Sequence, residues 1–365
     1  MAREPIKIQP DQIPFAEGAP ADDLQTESFG EDEVLIGDPL LDNIQEQPTE
    51  FDANLAESID QKELDRKADT LVSYYDNDKN ARSEWEERYK QGLKTLDPDG
   101  GLEESEEERA TRGLSTVVHP MIAEAATQFN ARAIAELYPA GGPVKTVIIG
   151  EPNEETEEQA RRVKDYMNYQ ITQQMPEYFP DLDQMLFQLP LVGQTFKKVW
   201  WDANMDRQCA KFVKAEDFVV APESTDLYTS PRYTQVIRIP KNDYNRYVEA
   251  GWYLPVKYDG DGIDPSGDLT TDIEGVDQYG DDGQDEVLTL LEMHVYEAFE
   301  GIDGIEDEDS ENLVMLPYVI TIDYDSQKIV SVRRNWDEGD GSHKRRDWFV
   351  SYKFLPGVGF YGFGL

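Results

Sequence analysis

The chain has 365 residues, of which 39% are hydrophobic and 30% charged, and its formal charge is −42. At roughly 150 residues per domain the length suits two domains. The charge argues against tight duplex binding, which depends on Lys and Arg neutralising phosphates, but not against a surface past which DNA slides without being gripped. The single cysteine, Cys209, cannot form an internal disulfide. His119, His294 and His343 lie far apart, and no Cys/His cluster has zinc-ligand spacing. "MAREPIKIQPDQIPF" lacks the apolar core of a signal peptide, and no apolar run reaches the roughly 18 residues of a membrane span.

Residues 1–60 hold sixteen Asp or Glu against Arg3 and Lys7, with scattered prolines and no sustained period. They read as a largely disordered acidic arm in which "DEVLIGDPLLDNI" could order on a partner. From Leu64 the pattern turns helical. Ala68, Leu71, Val72 and Tyr75 recur three or four apart, then Trp85, Tyr89, Leu93 and Leu96. This predicts two helices broken near "DNDKN", or one long helix, closed by the acidic turn "DPDGGLEESEEE". The next helix lies in "VVHPMIAEAATQFNARAIAELYPAGGP". Pro120 suits its first turn, Ile122, Ala126, Phe129, Ala133 and Leu137 line one thin face, and Pro139 and Gly141 stop it. "VKTVIIG" reads as a short strand.

A third helix spans "EPNEETEEQARRVKDYMNYQITQQM". Asn153 is its expected N-cap, and Glu154, Glu155, Glu157 and Glu158 sit at the positive end of the dipole. Arg161, Arg162 and Lys164 follow in the favourable order, and Val163, Met167, Ile171 and Met175 form the expected buried stripe. A shorter helix follows in "YFPDLDQMLFQLPLVG". After Gly193 the period drops towards two. "TFKKVWWD" and "QCAKFVKAEDFVVAPE" predict a hairpin and its continuation, "PRYTQVIRIP" a strand and "KNDYNRYVEAG" a short helix. Residues 257–286 form a Gly/Asp-rich insert expected to be mobile. "EVLTLLEMHVYEAF", "LPYVITIDYD", "QKIVSVRRNW" and "DWFVSYKFL" are four strong strands, with loops at 300–312 and 337–345.

The expected fold class is therefore α+β, a helical region (61–193) followed by a mostly antiparallel β region. The β region divides into 194–256, the insert 257–286 and 287–354. The chain ends in an apolar, glycine-jointed stretch, 355–365, that reads as the start of a longer segment.

Chemical signatures are sparse. With 76 acidic side chains, carboxylate pairs arise by chance and none is singled out as a glycosidase pair. GxSxG, HExxH, GxGxxG and GxxxxGK[ST] do not occur. "AGGPVKT" lacks the Gly-Lys-Ser/Thr core of a phosphate loop and reads as a helix stop. Asp76, Asp78, Asn80 and Glu87 match positions 1, 3, 5 and 12 of an EF-hand loop, but Ala81 stands where the sharp turn needs glycine, so a helix with a polar face is preferred. "DGDGIDPSGD" reads as a solvated loop. The basic cluster "HKRRDW" (His343–Trp348), with Arg333 and Arg334 upstream, could touch nucleic acid but reads more simply as a hairpin tip balancing nearby acids. Trp200, Trp201, Tyr166, Tyr169 and Tyr178 read as core or subunit interface. No catalytic, cofactor-binding or metal residue is nominated, and DNA-contacting residues are unknown.

Four segments, taken in order, carry a resemblance. They are "STVVHPMIAEAATQFNARAIAELYPAGGPVKTVIIG", "RVKDYMNYQITQQMPEYFPDLDQMLFQLPLVGQTFKKVWWD", "FVKAEDFVVAPESTDLYTSPRYTQVIRI" and "YKFLPGVGFYGFGL". Together they resemble the N-terminal half of portal (head–tail connector) proteins of tailed double-stranded DNA bacteriophages, especially the short-tailed kind, over Ser115–Leu365. The resemblance implies a ring, usually of twelve subunits, at one capsid vertex of the virion, assembled in the host bacterial cytoplasm. The terminase pumps DNA in through such a ring, and the DNA leaves through the tail. It implies as partners further copies of the chain, the major capsid and scaffolding proteins, the terminase large subunit, tail or adaptor proteins, and double-stranded DNA passing without sequence-specific binding. It implies no cofactor, no membrane and no enzymatic activity. The α+β content corresponds to the wing part of such a subunit. Because that family continues past the equivalent of "PGVGFYGFGL", the chain is expected to be the N-terminal part of a longer protein. The alternative is another non-enzymatic virion component, such as a tail adaptor or an ejected internal protein. An acid-rich hydrolase is the enzymatic rival.

Overall fold

A computed structural model describes residues 50–94, 111–112, 120–202, 205–256, 287–305 and 313–365. The expectations for most of the acidic arm, the acidic turn after the first helices, His119 and the 257–286 insert fall outside these residues.

The chain is α+β. Among the described residues a 3-10 turn, Leu55–Glu57, and five α-helices come first: α1 (Gln61–Ala81), α2 (Ser83–Lys94), α3 (Met121–Leu137), α4 (Glu154–Tyr169) and α5 (Tyr178–Val192), with a π-helical turn, Gln170–Gln174, after α4. Then follow β1 (Gln194–Asp202), β2 (Arg207–Val213), β3 (Phe218–Val220), β4 (Arg232–Pro240), α6 (Lys241–Glu249), β5 (Val287–Glu297), β6 (Leu316–Asp323), β7 (Lys328–Arg334) and β8 (Phe349–Lys353). All strand pairs are antiparallel, in a five-stranded sheet β3-β4-β5-β6-β7 and a three-stranded sheet β2-β1-β8.

α1 lays Leu64, Ala68, Leu71, Val72 and Tyr75 on one face of the large sheet, against Leu291, Met293 and Val295 of β5 and Ile320 and Ile322 of β6. These are the residues whose helical spacing the sequence displays. On the opposite face the small sheet closes over Phe218 and Tyr233 with Phe196, Val213 and Phe349, while Trp85 and Tyr89 of α2 seal the side. Alternate residues of β5 thus serve two cores, as a central strand buried on both faces must.

The break between the first two helices falls at Arg82, two residues past "DNDKN", which itself lies in the end of α1. Arg82 is buried, and its guanidinium donates to the carbonyls of Ala215, Glu216 and Phe218 and to Glu86. Those acceptors turn the chain there. The acidic arm also ends earlier than expected. Leu55, Ala56 and Ile59 insert into the α1 core, and the Asn54 side chain closes the β7 edge. That occupied edge explains why β8 does not extend the large sheet. It crosses to pair with β1, Lys198 opposite Phe349.

Three expectations fail on packing. Leu137 of α3 is exposed, although Ala126 is fully buried and Phe129 meets Phe354 edge-on. "VKTVIIG" forms no strand. α4 begins as expected, with an Asn153–Thr156 capping box, yet buries no residue. Val163 and Met167 are exposed, and only Met175, beyond the helix, reaches a core. The cause is position: α4 packs on the segment 144–150 rather than on a sheet. Asn168 receives the Val144 N–H and donates to the Val144 carbonyl, and Thr146 donates to the Ala160 carbonyl.

The C-terminal stretch folds back on the molecule. Leu355 and Phe363 bridge each other, Leu365 N–H donates to the Pro190 carbonyl, and Gly362 N–H donates to Gln194. Gly193, at φ +86°, could not carry a Cβ without meeting the backbone of Phe363 and Gly364. Gly357, Gly362 and Gly364 are close-packing points in the same way.

Candidate functional site

A buried set of titratable side chains spans the seam between the two sheets. Lys198 of β1 donates to both carboxylate oxygens of Glu292 on β5, at 2.6 and 2.7 Å. His294, two residues along β5 and 1% exposed, lies 3.0 Å from Glu292 through Nε2. Its Nδ1 is 3.4 Å from Asn335 Nδ2, and Trp348 Nε1 donates to Asn335 Oδ1 at 2.7 Å. The directions are mutually determined. Trp348 can only donate, so the Asn335 amide turns its NH2 to His294, and Nδ1 accepts. Nε2 then carries the proton and donates to Glu292. Tyr233 stacks on the imidazole at 4.8 Å.

Burial alone would raise the Glu292 carboxyl, but the Lys198 ammonium and the His294 N–H outweigh it and hold the group down at about 2. Burial pushes His294 below its ordinary value, and Lys198 and Arg345 push the same way against the pull of Glu292. The seam therefore holds a carboxylate, an ammonium and a neutral imidazole. Every partner is consumed internally and His294 is closed to solvent, so the arrangement ties two sheets together and offers no substrate a reacting atom.

The basic cluster is also structural. Arg345 is buried and donates to the carbonyls of Leu227, Tyr228 and Ser230. Arg346 pairs with Asp337, and Arg334 with Asp303 and the Phe51 carbonyl. Arg333 donates to the carbonyls of Asp52 and Trp252. Beside them Phe51, Asp303, Arg334, Trp336 and His343 line an open hollow of ≈ 450 Å³. The EF-hand match dissolves, because Asp78 is held bidentately by Arg232 at 2.7 Å inside continuous helix. Among the described residues no group of three His, Cys, Asp or Glu is placed to hold a metal ion. Cys209 is buried, and burial raises its thiol. Trp200 is half-buried, while Trp201 is exposed beside Val199 on the outer face of the small sheet. Tyr166 and Tyr169 are exposed on α4, and Tyr178 covers the Lys197 ammonium at 3.9 Å. No described helix is long and apolar enough to cross a membrane.

The seam escapes a motif search because its members are scattered from residue 198 to 348. Its one local signal is "LLEMHV", two polar residues on one face of an otherwise apolar strand. No protein-family model and no curated protein matches the chain.

Proposed function

We propose that this chain is a structural subunit of a phage portal ring, forming part of the channel for DNA packaging and ejection at one capsid vertex, and that it acts without catalysis. The resemblance over Ser115–Leu365 supplies the identity. The observation in the fold that favours an assembled subunit is α4, a helix with an apolar stripe and no buried residue. Apolar faces left bare by one chain are what a subunit interface covers. The charge of −42 suits a wall along which a polyanion must move without adhering. Its partners on this reading are its own copies, capsid and scaffolding proteins, the terminase large subunit, and tail or adaptor proteins. The test is to express the full product of the gene, determine its mass by light scattering and image it by electron microscopy. Rings with a central channel that bind the terminase large subunit are expected. A monomer at every concentration overturns the proposal, and rings that ignore the terminase move the reading to a tail adaptor.

A further inference from the structure

Two neighbouring lysines of β1 are held in different ways. Lys198 points towards β5 and makes two short hydrogen bonds to Glu292. Lys197 points the other way, under α5, and is 4% exposed. Tyr178 and Asp181, three residues apart and so on one face of α5, close over it. The Tyr178 ring lies 3.9 Å from Nζ, and Asp181 Oδ2 lies 3.5 Å from it. Yet neither Nζ nor Oδ2 makes a hydrogen bond to any described residue. An ammonium and a carboxylate sealed from water are held by such bonds, as Lys198 and Glu292 are.

The surroundings favour the uncharged pair. Tyr178 packs in an apolar cluster with Leu182, Met185, Leu186 and Phe212. Burial pushes Lys197 down against the pull of Asp181, and pushes Asp181 up against the Phe212 N–H, Lys197 and Lys211. Passing one proton from Nζ to Oδ2 leaves an amine, a nucleophile, facing a carboxylic acid. That acid is already polarised. Phe212, the cross-strand neighbour of Lys197, donates its N–H to Asp181 Oδ1 at 2.7 Å. A backbone N–H at that distance stabilises the oxyanion of an acyl-transfer intermediate. With Oδ1 accepting this bond, the acid proton sits on Oδ2, the oxygen beside Nζ.

We propose that Lys197 and Asp181 join in an amide bond, a self-made cross-link between β1 and α5. The Nζ lone pair attacks Cγ of the acid, and the negative charge passes to Oδ1 under the Phe212 N–H. One amine proton then moves to the Oδ2 hydroxyl, Oδ2 leaves as water, and the carbonyl reforms on Oδ1. One amide and one water result, with no oxidant, reductant or further reactant. The link closes a covalent loop through the turn at Gly193 and fixes α5 on the small sheet. It forms within one chain and is independent of the portal reading.

The experiment is the intact mass of the purified full chain, followed by peptide mapping. A mass lower than the sequence mass by one water is expected. Trypsin is expected to leave the bond after Lys197 uncut, because its side chain is acylated, and to release residues 165–198 as one peptide that lacks one water. Chymotrypsin cleavage of that peptide after Phe187 should leave the pieces holding Asp181 and Lys197 joined. Lys197→Arg and Asp181→Ala should each restore the full mass. Full mass in the wild type, with cleavage after Lys197, overturns the proposal and leaves a buried ion pair. A water loss that persists in Lys197→Arg also overturns it, because the dehydration then lies elsewhere. The wild-type peptide map decides the question even where a variant fails to fold.

Discussion

Two strand edges in this protein meet the same device with opposite results. At β7 the Asn54 amide accepts the Val332 N–H and donates to the Val330 carbonyl; at residue 144 the Asn168 amide does the same for Val144. A carboxamide carries one donor group and one acceptor, like a peptide unit, so it can close one residue's length of edge. Around Asn54 the rest is covered. Leu254 N–H also reaches Val330, and Leu55 and Ala56 bury the approach. Around Asn168 no described residue covers the outer side, where Val147 and Ile149 are exposed. An edge is closed by what packs over the amide, not by the amide itself.

Asn54→Ala should give the largest effect. It strands the buried N–H groups of Ala56 and Val332, while the Val330 carbonyl keeps the Leu254 N–H, for a loss of about 3–4 kcal/mol. Urea unfolding measures it, and a loss below ~1 kcal/mol would mean that the covered edge does not depend on its amide.

The seam provides the next case, since it too is a polar device made strong by burial. Glu292→Gln leaves the Lys198 ammonium without its counter-charge and should cost about 2–3 kcal/mol by the same measurement.

Acid should open the same site in two stages. The His294 imidazole is held below its ordinary 6.5, so folding keeps it neutral and stability falls as pH drops below that value. Glu292, at about 2 against an ordinary 4.5, contributes stability that is complete above 4.5 and lost as pH falls towards 2. Thermal melts from pH 8 to pH 3 should show both stages in the wild type. His294→Gln should remove the upper one. A variant that keeps the upper slope would assign it to another group.

The smallest effect is expected for Asn168→Ala, below ~1 kcal/mol in global stability, because Val144 is only partly buried and water can replace the amide. Amide exchange should nevertheless speed up at Val144. Equal losses for Asn54→Ala and Asn168→Ala would break the comparison outright.

Sequence spacing alone located the five helices α1 to α5 and α6, but not the 3-10 turn Leu55–Glu57, and it located seven of the eight strands described above, with the short β3 inside the continuation of the first hairpin. It also picked out the Asn153 cap and the α1 face that packs on the large sheet. These are local properties, written in residues three, four or two apart. Only the tertiary structure decided where each face found its partner. β8 joins β1 across some 150 residues, Asp78 meets Arg232 rather than a cation, and Arg82 breaks the helix because carbonyls near residue 216 receive it. The stripe on α4 shows the limit most plainly. Its spacing marks an apolar face as surely as that of α1, but spacing carries no information about what lies opposite, and among the described residues none buries it. The strand-like "VKTVIIG" fails for the same reason, since a strand exists only when a second one lies beside it, and the fold places a helix and one asparagine there instead.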